Sequence, residues 1–155
     1  MSSSTYTVER AATIAAGPQQ IYDRIADFHQ WMAWSPWEDL DPDQQRTFSG
    51  AESGPGAKYA WSGNRKAGKG SMEIFRSSPG EIAIALEFLK PFKSTSTTVF
   101  TFTPNGSETI VSWKMTGEQT GPMGLFGKFF NMEKLIGPDF EKGLARLKAV
   151  AEEAG

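Results

Sequence analysis

TTVFTFTPNGSETIVSWKM, residues 97–115, alternates with a period of two on either side of an Asn-Gly pair. Phe100 and Phe102 lead into Asn105-Gly106, and Thr109, Val111, Trp113 and Met115 lead away from it, with polar residues mostly between them. Alternation of this kind marks a strand with one buried and one wetted face. Asn and Gly both tolerate positive φ, so the stretch reads as an antiparallel hairpin turning on Asn105-Gly106.

The same period extends outward from the hairpin. Between Gln45 and Gly117, the punctuation Gly54-Pro55-Gly56, Gly63-Asn64 and Pro79-Gly80 separates further runs, giving five or six antiparallel strands. Tyr59 with Trp61, Met72 with Ile74, and Ile82, Ile84, Leu86 with Phe88 keep one face apolar. Lys58, Ser62, Ser112 and Lys114 fall on the other face, which reads as wet. Near the start, Tyr6, Val8, Ala12 and Ile14 predict an opening strand over 5–15. Gly17-Pro18 ends it, and Ile21, Tyr22 and Ile25 predict a short helix over 19–26. Asp27 is placed to cap a second short helix carrying Phe28, Trp31 and Met32 on one side.

An apolar sheet face needs cover. Residues 123–153 carry Phe129, Met132, Glu133, Ile136, Phe140, Leu144 and Leu147 at spacings of three and four, which predicts a long amphipathic helix. Gly137-Pro138 predicts a kink or a break into two helices, because proline removes a donor and crowds the preceding turn. The class expected is α+β: a curved antiparallel β-sheet against a long C-terminal α-helix, with two short helices after the first strand.

Composition narrows the function. At 155 residues the chain suits a single domain over 1–155, and 39% hydrophobic, 12% aromatic and 22% charged residues exclude a disordered chain. A net charge of -2 offers no field for phosphate backbones, so nucleic acid is not an expected partner. Without cysteine there is no disulfide, no thiolate nucleophile and no sulfur-based zinc site. MSSSTYTVER lacks a secretory pattern and no run is apolar enough for a membrane span, so a cytoplasmic location is expected.

Several motifs fail on context. GNRKAGKG (63–70) nearly spells a phosphate loop, yet Gly70 stands where Ser or Thr should bind magnesium, and the stretch feeds a strand rather than a helix. DLDPD (39–43) spaces its carboxylates like a calcium loop, but Gln44 replaces the turn glycine and Gly50 the bidentate Glu. His29 is the only histidine, so no metal site and no cofactor are expected. With no Cys and no G-x-S-x-G elbow, acid/base chemistry is what remains for an enzyme. Glu73 and Glu87 fall out of phase with the apolar face and read as solvated. Glu133, on the inward stripe of the last helix, and Glu38, beside Trp34 and Trp37, are the catalytic candidates, weighed against ordinary salt bridges.

WSPWEDLDPD (34–43), FSGAESGPGAKYAWSGNRKAGKGSMEI (48–74), LEFLKPF (86–92) and GPDFEKGLARLK (137–148) together resemble the START-like, or SRPBCC, superfamily in its polyketide cyclase/dehydrase-like branch. The resemblance implies a helix-grip fold with a deep cavity between sheet and last helix. It puts Trp34 and Trp37 near the cavity mouth, with Trp61, Phe88, Phe92, Met115, Phe130, Glu133, Ile136 and Phe140 lining or closing the space. Met123, Leu125 and Phe126 would be a pocket lid or a dimer contact, leaving monomer and homodimer both open. The superfamily binds, carries or transforms unlike compounds, so function has to come from the site.

Three functions are compatible with these features. The first is binding or carriage of a small, largely apolar ligand such as a lipid, a polyketide-like aromatic or another hydrophobic metabolite. Burying about 300 Å² of apolar ligand surface contributes roughly 7 kcal/mol before ordering costs, enough for micromolar affinity. The second is an enzyme of cyclase, dehydratase or isomerase type using a carboxyl in the cavity. The third is a protein-interaction module like the chaperone-ATPase activators of the same superfamily, which the polar outer face disfavours.

Overall fold

The computed structural model describes residues 4–38, 41, 43–64, 67–90, 93–119 and 132–154. Seven strands form one curved antiparallel sheet. They are β1 (Ser4–Ile14), β2 (Gln45–Gly50), β3 (Ala57–Ser62), β4 (Lys69–Ser78), β5 (Glu81–Lys90), β6 (Ser94–Asn105) and β7 (Glu108–Gln119). The order is β1-β7-β6-β5-β4-β3-β2, so β2 to β7 run as a meander and β1 pairs beside the last strand. Helix α1 (Pro18–Ala26) and a 3-10 helix (Phe28–Ala33) cross between β1 and β2, and helix α2 is Met132–Ala154. This is the helix-grip architecture expected from the sequence.

The period-two face is the core. Ile74, Ile82, Ile84, Phe100 and Val111 are fully buried, while Lys58, Ser62 and Lys114 on the opposite face are exposed. The central hairpin turns one residue later than Asn105-Gly106 would place it. Asn105 pairs with Glu108, so Gly106 and Ser107 form the loop, and Gly106 alone takes positive φ, at 66°. A turn with glycine first needs no second left-handed residue, which suits the Ser107 that follows.

Helix α1 ends at Ala26 and would leave its last carbonyls without partners. Indoles take their place. Trp34 Nε1 donates to Arg24 O at 3.0 Å, Trp31 Nε1 to Ile25 O at 2.9 Å, and the Gly54 amide to Ala26 O at 3.0 Å. Asp27 caps the 3-10 helix by accepting from the His29 amide. Met32, expected on the same side as Phe28 and Trp31, is instead 49% exposed. At three residues per turn Phe28 and Trp31 eclipse each other, and Met32 is rotated away.

Helix α2 stays helical through Pro138, so of the two outcomes expected there, a kink or a break, the break into two helices does not occur. Proline cannot supply the usual backbone donor at this point, yet the residues on both sides of it keep helical geometry. Phe140, Leu144, Leu147 and Ala151 bury one stripe of the helix. Each of the three larger side chains contributes roughly 1.5–3 kcal/mol by leaving water. Polar contacts fix the helix along β1: Arg10 pairs with Glu141 at 2.8 Å, Lys148 donates to Thr13 O, and Glu152 accepts from the Ala15 amide.

Gly143 sets how closely the helix approaches the sheet. A Cβ there would lie 2.8 Å from Cζ3 of Trp113 and 2.9 Å from Cδ of Pro36, both rigid ring atoms. Helix propensity alone favours Gly143→Ala by about 1 kcal/mol. The clash outweighs it, and Gly143→Ala should lower the urea midpoint; a raised midpoint would show that the helix can retreat without cost.

Candidate functional site

A cavity of about 340 Å³ opens between the middle of the sheet and the segment that follows the 3-10 helix. Trp61 of β3, Met72 of β4, and Leu86 and Phe88 of β5 form its apolar wall. Trp31, Pro36 and Trp37 face them, and Asp139 and Lys142 of α2 contribute at the rim. Ser35, Glu38, Gln44, Tyr59 and Ala67 complete the lining.

The wall is positioned by its own hydrogen bonds. Trp61 Nε1 donates to Ala67 O at 2.9 Å, and the ring meets Phe88 edge-on at 5.5 Å. Gly70 makes room for that indole, since a Cβ on it would come within 2.7 Å of Trp61. The near-match to a phosphate loop therefore joins β3 to β4, closed by Gly63 N donating to Gly68 O; Gly68 takes a positive φ of 69°, and Gly63 and Gly70 leave room for close packing. Asp41 accepts from the Asn64 and Asp43 amides at 2.8 and 2.9 Å, tying the acidic stretch to the same turn. Trp37, half-buried at the mouth, donates from Nε1 to Asp139 Oδ2 at 3.3 Å and packs edge-on against Trp113 and Phe140.

One polar cluster sits in the wall. The Glu38 carboxylate accepts from Tyr59 Oη at 3.0 and 2.9 Å and from Arg46 Nε at 2.9 Å, and Arg46 Nη2 also reaches the Glu38 carbonyl. The Glu38 side chain is 8% exposed and that of Arg46 21%, so solvent screens this pair far less than a surface pair. Burial, followed by the neighbouring Glu38 carboxylate, pushes the Tyr59 phenol well above its ordinary value of 10.0. Tyr59 stays a neutral donor, and Glu38 is a restrained acceptor.

Of the expected ligand-binding residues, the fold brings Trp37, Trp61 and Phe88 to this cavity. Trp34, Met115 and Phe140 are buried in the adjoining core and are not among its lining residues; Trp34 is drawn away by its bond to Arg24 O, and Phe140 stacks on Trp113. Ile136 is half-buried against the core. Glu38 reaches the cavity wall, while the expectations for the Glu133 side chain and for Phe92, Met123, Leu125, Phe126, Phe129 and Phe130 lie outside the described residues. Gln44, Arg46 and Tyr59 are not among the site residues expected from sequence, where Tyr59 reads only as part of the apolar face and Gln44 only as a mismatch to a calcium loop. The register was the missing signal: Arg46 lies opposite Trp61 and Phe48 opposite Tyr59, so β2 delivers the arginine beside the apolar wall.

A family model described as polyketide cyclase / dehydrase and lipid transport matches residues 5–152. The chain belongs to this family. No curated protein matches it in sequence. Among solved structures, norcoclaurine synthase from Thalictrum flavum, in complex with dopamine and hydroxybenzaldehyde, superposes with a TM-score of 0.71 at 7% identity, covering 99% of this chain and 90% of that one. A Rhizobium loti protein gives 0.69 at 19% identity over 96% and 99% of the two chains. The Aha1 dimer from Colwellia psychrerythraea gives 0.64 at 14% identity over 95% and 96%. Identities this low establish a shared fold, the START-like one, and a shared fold does not fix a chemistry. No helix among the described residues is long and apolar enough to cross a membrane.

Two outcomes are expected from this geometry. Glu38→Gln keeps the shape but leaves the Arg46 charge poorly matched, and should cost about 1–3 kcal/mol by denaturant titration; an unchanged midpoint would show that the cluster holds nothing together. Because the folded Tyr59 phenol ionises above its unfolded value, its stabilisation is complete below pH 10.0 and fades as pH rises beyond that. Tyr59→Phe should therefore lose less stability than the parent protein between neutral and strongly alkaline pH, as followed by circular dichroism.

Proposed function

We propose that this chain binds and carries a small, largely apolar molecule in the cavity between β3–β5 and the Trp31–Glu38 segment. The observation that carries the reading is the cavity itself: about 340 Å³ lined by indole, phenyl and aliphatic groups, with a few polar groups held at set places. That is how small-molecule pockets are built, at the smaller end of their roughly 300–1,000 Å³ range. Membership of a family described as polyketide cyclase / dehydrase and lipid transport supports it.

A cyclase-type enzyme is the second reading, favoured by Glu38 and Tyr59 standing in the wall and by the fold shared with norcoclaurine synthase. Carriage ranks first because Glu38 already accepts from Tyr59 and Arg46, which hold it as a fixed acceptor rather than a free proton donor. Should a turnover be found, Glu38→Gln is the variant that assigns it.

The decisive experiment is native mass spectrometry of protein purified from its own host, with extraction of whatever travels with it. A bound apolar compound is expected. In parallel, Met72→Trp should fill the space and abolish binding of a neutral fluorescent naphthylamine, with stability changed by less than about 1 kcal/mol since the void accepts the added volume. A loss of about 1–3 kcal/mol, the usual effect of overpacking, combined with unaltered probe binding would refute a cavity at this place.

A further inference from the structure

Most polar groups around the cavity have partners. The Glu38 carboxylate is bonded to Tyr59 and Arg46, the Trp61 indole to Ala67 O, and the Trp37 indole to Asp139. Gln44 breaks the pattern. It lines the cavity at 7% exposure, and its Oε1 is buried with no hydrogen-bond partner among the described residues. A buried acceptor left unmet is rare in folded proteins, because it forfeits water and receives nothing in exchange. The Gln44 backbone N–H donates to Asp41 O at 3.1 Å, which anchors the residue just before β2.

We infer that the cavity takes a neutral ligand with one hydroxyl, or an equivalent neutral donor, on an apolar body, the Gln44 carboxamide turning toward the cavity so that the hydroxyl donates to Oε1. This rests on ligand binding in the same cavity. The apolar body would lie against Trp61, Met72, Leu86 and Phe88, which offer no hydrogen bond that the ligand must replace, since the one indole among them is already used. Neutrality follows from the charge in the wall. Glu38 lines the cavity, whereas Arg46, its cation, bonds to it from outside the lining. An anionic ligand would bring a second carboxylate into a poorly screened space. A cation would find the Glu38 oxygens already engaged by Tyr59 and Arg46. Lys142 is exposed at the rim, so a carboxylate could be met only there and not beside Gln44.

Three probes that share one ring system test this: 2-naphthol, 2-methylnaphthalene and 2-naphthoate, titrated against the full chain while the indole N–H resonances are followed. The naphthol should bind about tenfold more tightly than either of the others, the effect of one hydrogen bond to an otherwise unmet acceptor. Gln44→Leu should erase that advantage and leave the methylnaphthalene affinity unchanged. Gln44→Met, closer in shape, repeats the test should the leucine variant melt early. Equal binding of naphthol and methylnaphthalene, or a preference for naphthoate, overturns the inference and leaves the cavity reading standing. Failure of all three probes to bind overturns both.

Discussion

The indole of Trp113 lies flat on the ring of Phe140, with centroids 4.1 Å apart and planes 8° apart, and this contact holds the last helix to the sheet. It is possible only because Gly143 has no side chain where Trp113 and Pro36 come closest. Trp37 meets both rings edge-on, and its indole nitrogen reaches Asp139 on the same helix. The mouth of the cavity is therefore referenced to the helix grip itself. Moving α2 outward would release Trp37 and widen the opening together, which links core packing to access.

The grip also explains where the empty space lies. Helix α2 runs along β1, fastened through Arg10, Thr13 and Ala15, so its buried stripe covers the β1–β7 side of the sheet. The β3–β5 side is covered by the 3-10 helix and the chain after it. A short turn whose indoles are committed to the carbonyls of α1 cannot also fill the hollow of a curved sheet. The void is the geometric remainder of two covers of unequal length meeting over one concave surface.

Much of this was legible in the sequence. Period-two alternation gave the buried face from Tyr59 to Met115, and residue spacing gave the helical stripe of Phe140, Leu144 and Leu147. What could not be read was which partner each tryptophan would choose. Trp31, Trp34 and Trp37 look alike as a cluster, yet Trp31 and Trp34 close the end of a helix ten or fewer residues upstream, and only Trp37 bonds to an element about a hundred residues away. A helix end with orphan carbonyls just before Asp27 was predictable, but nothing local says that indoles rather than water would satisfy it. Pro138 left two outcomes open, a kink or a break, and only the break is ruled out by a helix that continues from Met132 to Ala154: sequence shows the missing donor and not whether the turns on either side of it stay joined.

Glu38 illustrates how the same side chain changes meaning once its surroundings are known. Beside three tryptophans in sequence, it reads as an acid at an apolar mouth. In the fold, β2 and β3 bring Arg46 and Tyr59 to it, so its oxygens are engaged before any ligand arrives. A group so restrained shapes the cavity wall electrostatically, and it fixes the Tyr59 hydroxyl toward itself. On the proposed reading, polar recognition falls to Gln44, whose buried Oε1 has no hydrogen-bond partner among the described residues. The division of labour between a satisfied charge and an unsatisfied neutral group is what would let a mostly greasy pocket discriminate between ligands of the same size.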